Sequence, residues 1–362
     1  MTRVAIVGAG IVGAAIAYRL AEAGAEVTLF DKGGPGAGAS GKSFAWINAN
    51  DPEPAFYNEF RQEALAAWRR LDDELDLPVR WNGCLAWDQG DNALRAQADA
   101  LASLGRDVRL VERGEIAALA PAIADPPDIA LWSPDEGAAD AAAVARALGG
   151  AASAAGAVRL MGAEVRGFLR DGDRIAGLKT SFGAVEADRV VLAAGLGTVP
   201  LAAMAGVEVP VSPVTGLLIR TRPIPRIVNP IILSQTVHFH QEPDGRIVAA
   251  EEFSGAAASA EEMRRDPRAF ATGVLESLRA LLPGATLELD EVVLGTRPAP
   301  ADGLPIIGPA AEGLYLAVMH SGVTLAALIG ELAAKEVMGE RQEALKPYRL
   351  ARFAQGSQPP RP

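Results

Sequence analysis

Residues 4–13, Val-Ala-Ile-Val-Gly-Ala-Gly-Ile-Val-Gly, decide the fold of this chain. The apolar residues at the start are typical of a short buried strand, and the glycines lead directly into a helical stretch that reaches Leu20. A second apolar run, residues 26–31, ends on the acidic residue Asp31. Strand, helix and strand in this order form a β-α-β unit, and such a unit predicts a parallel sheet.

This arrangement of strand, turn and helix fits the phosphates of a dinucleotide. Gly8 permits the tight turn, Gly10 lets a pyrophosphate approach the backbone, and Gly13 lets the helix pack closely on the sheet. The helix N-terminus offers N–H groups and partial positive charge to the phosphates. Asp31 can accept hydrogen bonds from a ribose diol, and its charge disfavours the 2′-phosphate of NADP. The pattern predicts a site for FAD or NAD, and the simpler alternative is a tight turn that binds no ligand.

The composition leaves little chemistry to the side chains themselves. The 362 residues are 49% hydrophobic and 5% aromatic, and 34 Lys and Arg against 45 Asp and Glu give a formal net charge of −11. This acidic balance argues against a nucleic-acid partner, because phosphate binding relies on clustered Lys and Arg. A lone cysteine, Cys84, excludes an internal disulfide and a cysteine-cluster metal site, and 3 histidines argue against an all-histidine one. We predict no metal site and a bound organic cofactor.

The periodicity along the rest of the chain predicts a mixture of helices and strands. The predicted elements are a helix at 55–77 stopped by Pro78, a strand pair or bulge at 80–87, a helix in the Ala-rich run 138–157, a β-rich stretch at 157–197, a hairpin of His238–Gln241 and Arg246–Glu251 around Asp244-Gly245, one helix at about 260–282, strands near 286–296 and 314–318, and a helix at about 322–338.

No secretory signal and no membrane span are predicted. The strand that begins at Arg3 follows the first two residues directly, and the apolar stretch to Leu20 is broken by glycines. We expect a cytoplasmic protein, with peripheral membrane association left open. The tail from about residue 355 is polar and Pro-rich, which predicts disorder.

Segments spread along the whole chain add a more specific signal than the first glycines. They are Ala39-Ser40-Gly41-Lys42-Ser43, the strand Ala187–Gly195, Pro210–Gly216, Gly295-Thr-Arg297-Pro298-Ala-Pro-Ala-Asp302-Gly-Leu-Pro305-Ile-Ile-Gly308, Gly313-Leu-Tyr315 and His320-Ser-Gly-Val-Thr-Leu-Ala326. In this order and spacing they resemble the FAD-dependent amine and amino-acid oxidoreductases, the group of D-amino-acid oxidase, glycine oxidase, sarcosine oxidase and D-amino-acid dehydrogenase.

The resemblance implies an α/β fold with two discontinuous domains. A Rossmann-like FAD-binding domain would use residues 1–78, 138–210 and 291–362. A second α+β domain with an antiparallel sheet would bind the substrate and use residues 79–137 and 211–290.

The same resemblance implies how the chain holds FAD. The implied cofactor-binding residues are Gly8, Gly10, Ile11, Val12, Gly13, Asp31, Lys32, Ser40, Gly41, Lys42, Ser43, Ala45, Val165, Ala194, Gly195, Ser321, Gly322, Val323 and Thr324. Asp31 and Lys32 would lie at the adenosine ribose, and the backbone of Val165 at the adenine. N–H groups of the turn 321–325, which opens the last helix, would face the flavin N1–C2=O edge, where a reduced flavin carries negative charge. An ordinary N-cap at Ser321 is the alternative interpretation of this turn.

Two departures from the family pattern carry information. Sarcosine-oxidase-like members attach flavin to a cysteine near the segment 297–305, which contains none here, so FAD is expected to bind non-covalently. Those relatives also place a lysine over the flavin to activate oxygen, and residues 211–290 contain no lysine. This shifts the expectation toward a dehydrogenase with a quinone or dye-type acceptor, although oxygen stays open.

The candidate catalytic residues are Arg297, His238, His240, His320 and Asn48. In glycine-oxidase-like relatives the residue that matches Arg297 binds the substrate carboxylate, a task that suits a guanidinium fork. The alternative for Arg297 is an ion pair with an acid such as Asp302. His238 and His240 lie two apart on a predicted strand and therefore share a face, while His320 precedes the flavin-facing turn. An ordinary hydrogen-bonded role is the alternative for each histidine, and a cap or turn for Asn48.

These expectations together describe an oxidoreductase that acts on a small amino acid or secondary amine. A hydride would pass from the carbon beside the amine nitrogen to flavin N5, and the resulting imine would hydrolyse to a 2-oxo acid or aldehyde and an amine. Two alternatives are open. One is an NAD-dependent dehydrogenase, and the other is a flavin-carrying subunit that needs a hetero-oligomer partner for activity.

Overall fold

A computed structural model describes residues 1–250 and 260–355. The tail predicted to be disordered begins at about residue 355, so all of it after that residue lies outside the described residues. The strands in the described residues are β1 (Arg3–Val7), β2 (Glu26–Asp31), β3 (Trp46–Ile47), β4 (Val79–Arg80), β5 (Cys84–Trp87), β6 (Arg109–Glu112), β7 (Ile129–Ser133), β8 (Gly137–Ala139), β9 (Val158–Met161), β10 (Val165–Asp171), β11 (Arg174–Thr180), β12 (Gly183–Glu186), β13 (Arg189–Leu192), β14 (Val211–Thr221), β15 (Ile231–Ser234), β16 (His238–Gln241), β17 (Ile247–Ala250), β18 (Leu289–Pro300), β19 (Ile306–Ala311) and β20 (Leu314–Val318). The α-helices there are α1 (Ile11–Glu22), α2 (Ala55–Leu75), α3 (Asp91–Ser103), α4 (Arg113–Leu119), α5 (Ala141–Ala154), α6 (Thr198–Met204), α7 (Ala260–Arg265), α8 (Pro267–Leu281) and α9 (Gly322–Val337).

The N-terminal β-α-β unit lies in a six-stranded sheet with the order β19-β20-β13-β1-β2-β9. Strand β1 pairs in parallel with β2 and with β13, and β9 and β20 extend the parallel sheet on either side. Only β19 is antiparallel to its neighbour in this sheet. The parallel sheet predicted from residues 4–31 is therefore confirmed.

Alternating residues of β1 bury two different faces of this sheet. Val4 and Ile6 join the core formed with helices α1, α2, α5 and α9. Ala5 and Val7 face the opposite side and join a second core, to which the three-stranded sheet β10-β11-β12 contributes. A strand buried on both faces must be apolar throughout, which explains the unbroken run of apolar residues at the start of the chain.

A larger, mostly antiparallel sheet has the order β18-β14-β17-β16-β15-β5-β7-β6. Its own core includes residues of α3, α4, α7 and α8, separate from the two cores of the parallel sheet. The long pair β14 and β18 runs in register from Val211 opposite Pro300 to Arg220 opposite Glu291. The fold class, α/β with a second antiparallel layer, is confirmed, and the domain limits proposed from the sequence stay a prediction.

The predicted helices at 55–77, 138–157 and 322–338 are confirmed as α2, α5 and α9. The single helix predicted at about 260–282 is wrong, because α7 ends at Arg265 and α8 begins at Pro267. Proline is well suited to the first helical position and disruptive inside a helix. The side chain of Asp266 caps the new helix by accepting a hydrogen bond from the amide of Ala269 at 3.1 Å.

The segment 80–87 contains two strands, but they do not pair with each other. Strand β4 pairs with β8 in a small three-stranded sheet, and β5 pairs with β7 and β15 in the large one. Gly83 lies between them with φ +74°, and a Cβ there would lie 2.2 Å from the Trp132 ring. The hairpin of β16 and β17 is confirmed as far as Ala250, since Glu251 lies outside the described residues.

Candidate active site

One large cavity, of about 610 Å³, opens at the carboxyl ends of β1 and β2. This is where open parallel sheets bind their ligands, and the volume lies in the range of small-molecule and cofactor sites. The sequence-predicted residues that line it are Gly8, Gly10, Ile11, Val12, Asp31, Lys32, Ser40, Lys42, Ser43, Val165, Ala194, Gly195, Arg297, His320, Gly322 and Val323. The cavity thus brings together segments that are distant in the chain.

Two of the N-terminal glycines are required by close backbone contacts. Gly8 has φ +109°, and a Cβ there would lie 2.4 Å from the carbonyl oxygen of Ala193. A Cβ on Gly13 would lie 1.9 Å from the carbonyl oxygen of Gly8. Gly13 itself does not line the cavity, so its contribution is the close approach of α1 to the sheet.

Asp31 ends β2 and binds the backbone with both carboxylate oxygens. Oδ2 accepts a hydrogen bond from the amide of Ala9 at 2.8 Å, and Oδ1 accepts one from the amide of Gly33 at 2.7 Å. The carboxylate therefore fixes the glycine turn and the loop that follows β2, in addition to lining the cavity.

Two helix N-termini face the same cavity. Helix α1 begins after Gly10, and α9 begins after Ser321; neither has an acidic residue in its first turn. The hydroxyl of Ser40 accepts a hydrogen bond from the amide of Ile11 at 3.1 Å, which ties the Gly-rich loop to the start of α1. Ser321 occupies the N-cap position of α9 without a capping side-chain hydrogen bond. The partial positive charge of both helix ends is directed at the cavity.

Arg297 and His320 line another part of the cavity wall. Arg297 lies on β18 beside Pro298, and burial lowers the pKa of its guanidinium, which stays charged at neutral pH. The imidazole of His320 faces the open cavity, yet the protein enclosing it and the positive charges of Arg297 and Arg61 lower its pKa to about 4. His320 is therefore neutral at physiological pH. Asp302, the acid considered as a partner for Arg297, instead pairs with Arg352 at 2.6 Å.

His238 and His240 lie on β16 as predicted, but neither lines this cavity. Nε2 of His240 lies 2.9 Å from the carbonyl oxygen of Phe44, and the Phe44 ring meets the imidazole edge-on at 5.0 Å. Burial lowers the pKa of both histidines to about 4. A catalytic role for either one stays a prediction.

Asn48 is buried behind the start of α9 and lies outside the lining of the cavity. Its backbone amide donates to Oγ1 of Thr324 at 3.4 Å, and its backbone carbonyl accepts from Nε of Arg61 at 3.1 Å. Nη2 of Arg61 also binds the Asn48 side chain. The predicted cofactor residues Gly41, Ala45, Ser321 and Thr324 likewise lie outside the lining, next to residues that form it.

Several residues around this site were not predicted from the sequence. Arg61 on α2 places a second positive charge near His320. Glu136, between β7 and β8, is fully buried and accepts hydrogen bonds from the segment that contains Asn48. Met204, at the end of α6, lines the cavity while being 53% exposed. No sequence motif marks any of the three, because the residues that each of them meets at the site lie far away in the chain.

In the described residues, no helix is long and apolar enough to cross a membrane. The same residues contain no group of three or more His, Cys, Asp or Glu side chains that could hold a metal ion.

Comparison with known proteins decides the nature of the cofactor. Residues 3–336 match the family described as DAO, FAD dependent oxidoreductase. The chain belongs to the DAO family. Its cofactor is therefore FAD, and the NAD-dependent alternative falls away.

Several relatives of this DAO-family chain are named as enzymes that act on amino acids. Glycine oxidase of Pseudomonas aeruginosa is 30% identical over 95% of this chain and 97% of its own length. D-amino acid dehydrogenase of Paramagnetospirillum magneticum is 28% identical over 93% and 95% of the two chains. The crystal structure of glycine oxidase from Geobacillus kaustophilus superposes with a TM-score of 0.81 at 26% identity, covering 97% and 99%. The DAO-family chain is a FAD-dependent amino-acid or amine oxidoreductase.

The residues of the cavity fit FAD. Gly8 lines the cavity and cannot carry a Cβ, because one there would lie 2.4 Å from the carbonyl oxygen of Ala193. Two helix N-termini suit the anionic parts of the cofactor, and Asp31 lies beside the glycine turn as a ribose acceptor must.

Proposed function

We propose that this DAO-family flavoprotein oxidises the C–N bond of a small amino acid or secondary amine that carries a carboxylate. The observation that carries the proposal is the pair Arg297 and His320, which lines the same cavity as the glycine turn. FAD bound in the cavity supplies the acceptor for the two electrons. The names of the relatives, glycine oxidase and D-amino acid dehydrogenase, support the substrate class.

Arg297 is the proposed carboxylate-binding residue. Its guanidinium can pair two oxygens at once, and partial burial strengthens such a pair because water competes less. Its backbone is held by the pairing of β18 with β14, where it lies opposite Val214. A guanidinium carried on this strand, once paired with the carboxylate, would orient the carbon beside the amine nitrogen and leave that nitrogen facing the rest of the cavity.

His320 is the proposed contact for the amine. Because its imidazole is neutral, it can accept a hydrogen bond from an amine N–H. The positive charges of Arg297 and Arg61 disfavour an ammonium group nearby, so a bound amine loses its proton more readily. The substrate then loses a hydride from carbon and a proton from nitrogen, and water hydrolyses the imine to a 2-oxo acid or aldehyde and an amine or ammonia.

FAD is proposed to bind through the residues predicted from the sequence and without a covalent bond. Gly10, Ile11 and Val12 would serve the pyrophosphate, and Ser40, Lys42 and Ser43 the phosphates or ribityl chain. Cys84 lies in β5, is 1% exposed and does not line the cavity. Burial raises the pKa of its thiol well above the usual value, which suppresses the reactive thiolate. Acid precipitation of the protein should therefore release all of the flavin.

The proposal is tested by anaerobic reduction of the purified holoprotein. Glycine, sarcosine and pairs of D- and L-amino acids are added in turn, and bleaching of the flavin absorbance is followed. At least one of them should bleach the flavin rapidly, and admission of air or of a quinone-type dye then identifies the electron acceptor. Failure of every amino acid and secondary amine to bleach the flavin contradicts the proposal and favours a subunit that needs a hetero-oligomer partner.

A further inference from the structure

Glu136 is a buried carboxylate that the proposed reaction does not use. It lies in the connection between β7 and β8 and is 0% exposed. Oε2 accepts a hydrogen bond from Nε1 of Trp46 at 2.9 Å. Oε1 accepts one from the amide of Ala49 and one from Nη2 of Arg106, both at 3.1 Å. All three partners are donors, so both oxygens must be acceptors.

The two partners Trp46 and Ala49 lie on either side of Asn48. The same segment is joined to the first turn of α9, since the carbonyl of Trp46 accepts from Oγ1 of Thr324 at 3.2 Å. The amide of Asn48 donates to that same hydroxyl at 3.4 Å. Gly322 and Val323, in the same helical turn, line the cavity. A continuous set of hydrogen bonds therefore connects Glu136 with the wall of the site.

We propose that Glu136 is a positioning residue that holds the segment Trp46–Asn50 against the first turn of α9 and so sets the geometry of the cavity beside His320. It touches neither substrate nor cofactor. Only the kinetic part of the test, KM and kcat, rests on the proposed function. The geometry of the FAD site can be followed by spectroscopy of bound FAD without any turnover.

A neutral side chain at this position cannot accept hydrogen bonds from all three donors. Glutamine keeps the size of Glu136, but its NH2 group must point at one of the three donors. With its oxygen toward Ala49 and Arg106, the NH2 group would oppose the Trp46 indole N–H. Replacing the indole as well, in a Glu136→Gln/Trp46→Phe double variant, removes the unsatisfied donor.

Protonation of Glu136 in the wild type likewise places a donor, the carboxyl O–H, opposite one of the three N–H groups. Burial raises the pKa of Glu136 to about 7, with Asp135 acting in the same direction and Arg106 and Arg61 in the opposite one. Cys84, on the neighbouring β5, is a neutral thiol because burial raises its pKa. As pH falls through about 7, the carboxylate gains a proton and loses an acceptor position, so the geometry of the cavity should change with pH.

The test compares Glu136→Gln with Asp135→Asn, both as FAD-loaded proteins. The carboxylate of Asp135 also pairs with Arg106, but this side chain is 37% exposed. Its backbone carbonyl accepts from Nη2 of Arg69 at 3.3 Å, and neither contact involves the segment 46–50. The visible circular dichroism of bound FAD is recorded on either side of pH 7, together with KM and kcat. We expect the wild-type signal to change near pH 7. The Asp135→Asn signal should also change, but at a lower pH, because the negative charge that helps to raise the pKa of Glu136 is gone. The Glu136→Gln signal should be pH-independent and similar to the wild type at low pH.

We also expect Glu136→Gln to raise KM about tenfold with a smaller effect on kcat, and the double variant to recover most of that loss. A wild-type spectrum and pH profile in Glu136→Gln overturns the proposal. If neither Gln variant folds with FAD, Glu136 supports the fold rather than the site, and the proposal is likewise overturned. A protein that shows the expected spectra but oxidises no amine contradicts the proposed function and leaves the positioning role intact.

Discussion

At the scale of single residues, Asp31 shows how one carboxylate serves both fold and site. Its two oxygens accept from the amide of Ala9, in the glycine turn, and from the amide of Gly33, in the loop that follows β2. The spacing in the sequence predicted an acid near the ribose. The backbone contacts could not be predicted, since they depend on the left-handed turn at Gly8 that brings the amide of Ala9 back toward β2.

Replacement of Asp31 by asparagine should weaken FAD binding. The amide NH2 group would point at one of the two backbone donors, and a lost hydrogen bond to a charged group costs about 2 kcal/mol. We expect the dissociation constant of FAD, titrated into apoprotein by flavin fluorescence, to rise at least tenfold. Asp171→Asn, at the exposed end of β10, is the matched control and should bind normally. Wild-type affinity in Asp31→Asn would show that these contacts do not support the site.

Glu242 gives a prediction about pH and stability. It is partly buried 3.9 Å from Nε of Arg220, and burial raises its pKa to about 7. In the unfolded chain a glutamate titrates near its ordinary value of about 4.3. Glu242 therefore binds its proton more tightly in the folded state than in the unfolded chain. As a result, the free energy of unfolding falls as pH rises from about 4.3 through about 7.

Glu242→Gln should remove this loss. The free energy of unfolding of the variant should equal that of the wild type below about pH 4 and exceed it by 1 kcal/mol or more above about pH 7, because one pKa unit corresponds to about 1.4 kcal/mol. Urea unfolding at several pH values measures the difference. Glu291→Gln, which changes the more exposed acid that pairs with Arg220 at 3.0 Å, should show no such rise above pH 7. A constant difference at all pH values would contradict the assignment to Glu242.

At the scale of elements, two helical glycines should respond oppositely to the same substitution. Gly150, in α5, has no atom within 4 Å of the position a Cβ would take. Gly330, in α9, would place a Cβ 3.1 Å from the carbonyl oxygen of Ala15 in α1. The close packing of α1 on α9 therefore depends on Gly330, while Gly150 only loosens its helix.

We expect Gly150→Ala to stabilise the protein by about 0.5–1 kcal/mol through helix propensity. Gly330→Ala should destabilise it by about 1–3 kcal/mol, because the two helices must move apart. Thermal unfolding of the two variants and the wild type under the same conditions measures both effects. A stabilised Gly330→Ala variant would mean that α1 and α9 pack less tightly than the structure shows.

The elements predicted best are those with long local periodicity. Helices α2, α5 and α9 and the first β-α-β unit follow from the spacing of apolar residues and glycines. The break between α7 and α8 was missed although Pro267 signals it, and β4 and β5 were not assigned to separate sheets because sheet membership depends on partners distant in the chain. Helix α3 has only three buried residues, Leu94, Ala98 and Leu101, and its weak apolar pattern did not predict a helix.

At the scale of the whole molecule, the site joins segments from both ends of the chain. The cofactor turn, the Gly-rich loop and the start of α9 were predicted because each carries its own motif. Arg61 and Glu136 carry none, and their importance arises only from tertiary contacts with Asn48 and Trp46. The predicted scarcity of catalytic side chains agrees with a FAD-dependent enzyme, in which the protein mainly binds and orients.

The most direct test of this account is the anaerobic reduction of bound FAD in the wild type and in Arg297→Met, measured by rapid mixing. For an amino-acid substrate, the concentration that gives half-maximal reduction rate should rise about hundredfold in the variant, as expected for the loss of a charged hydrogen-bonded pair. Reduction by the corresponding amine without a carboxylate should be slow and equal in both proteins. If Arg297→Met is reduced by the amino acid as readily as the wild type, Arg297 does not bind the substrate carboxylate and the proposed site is wrong.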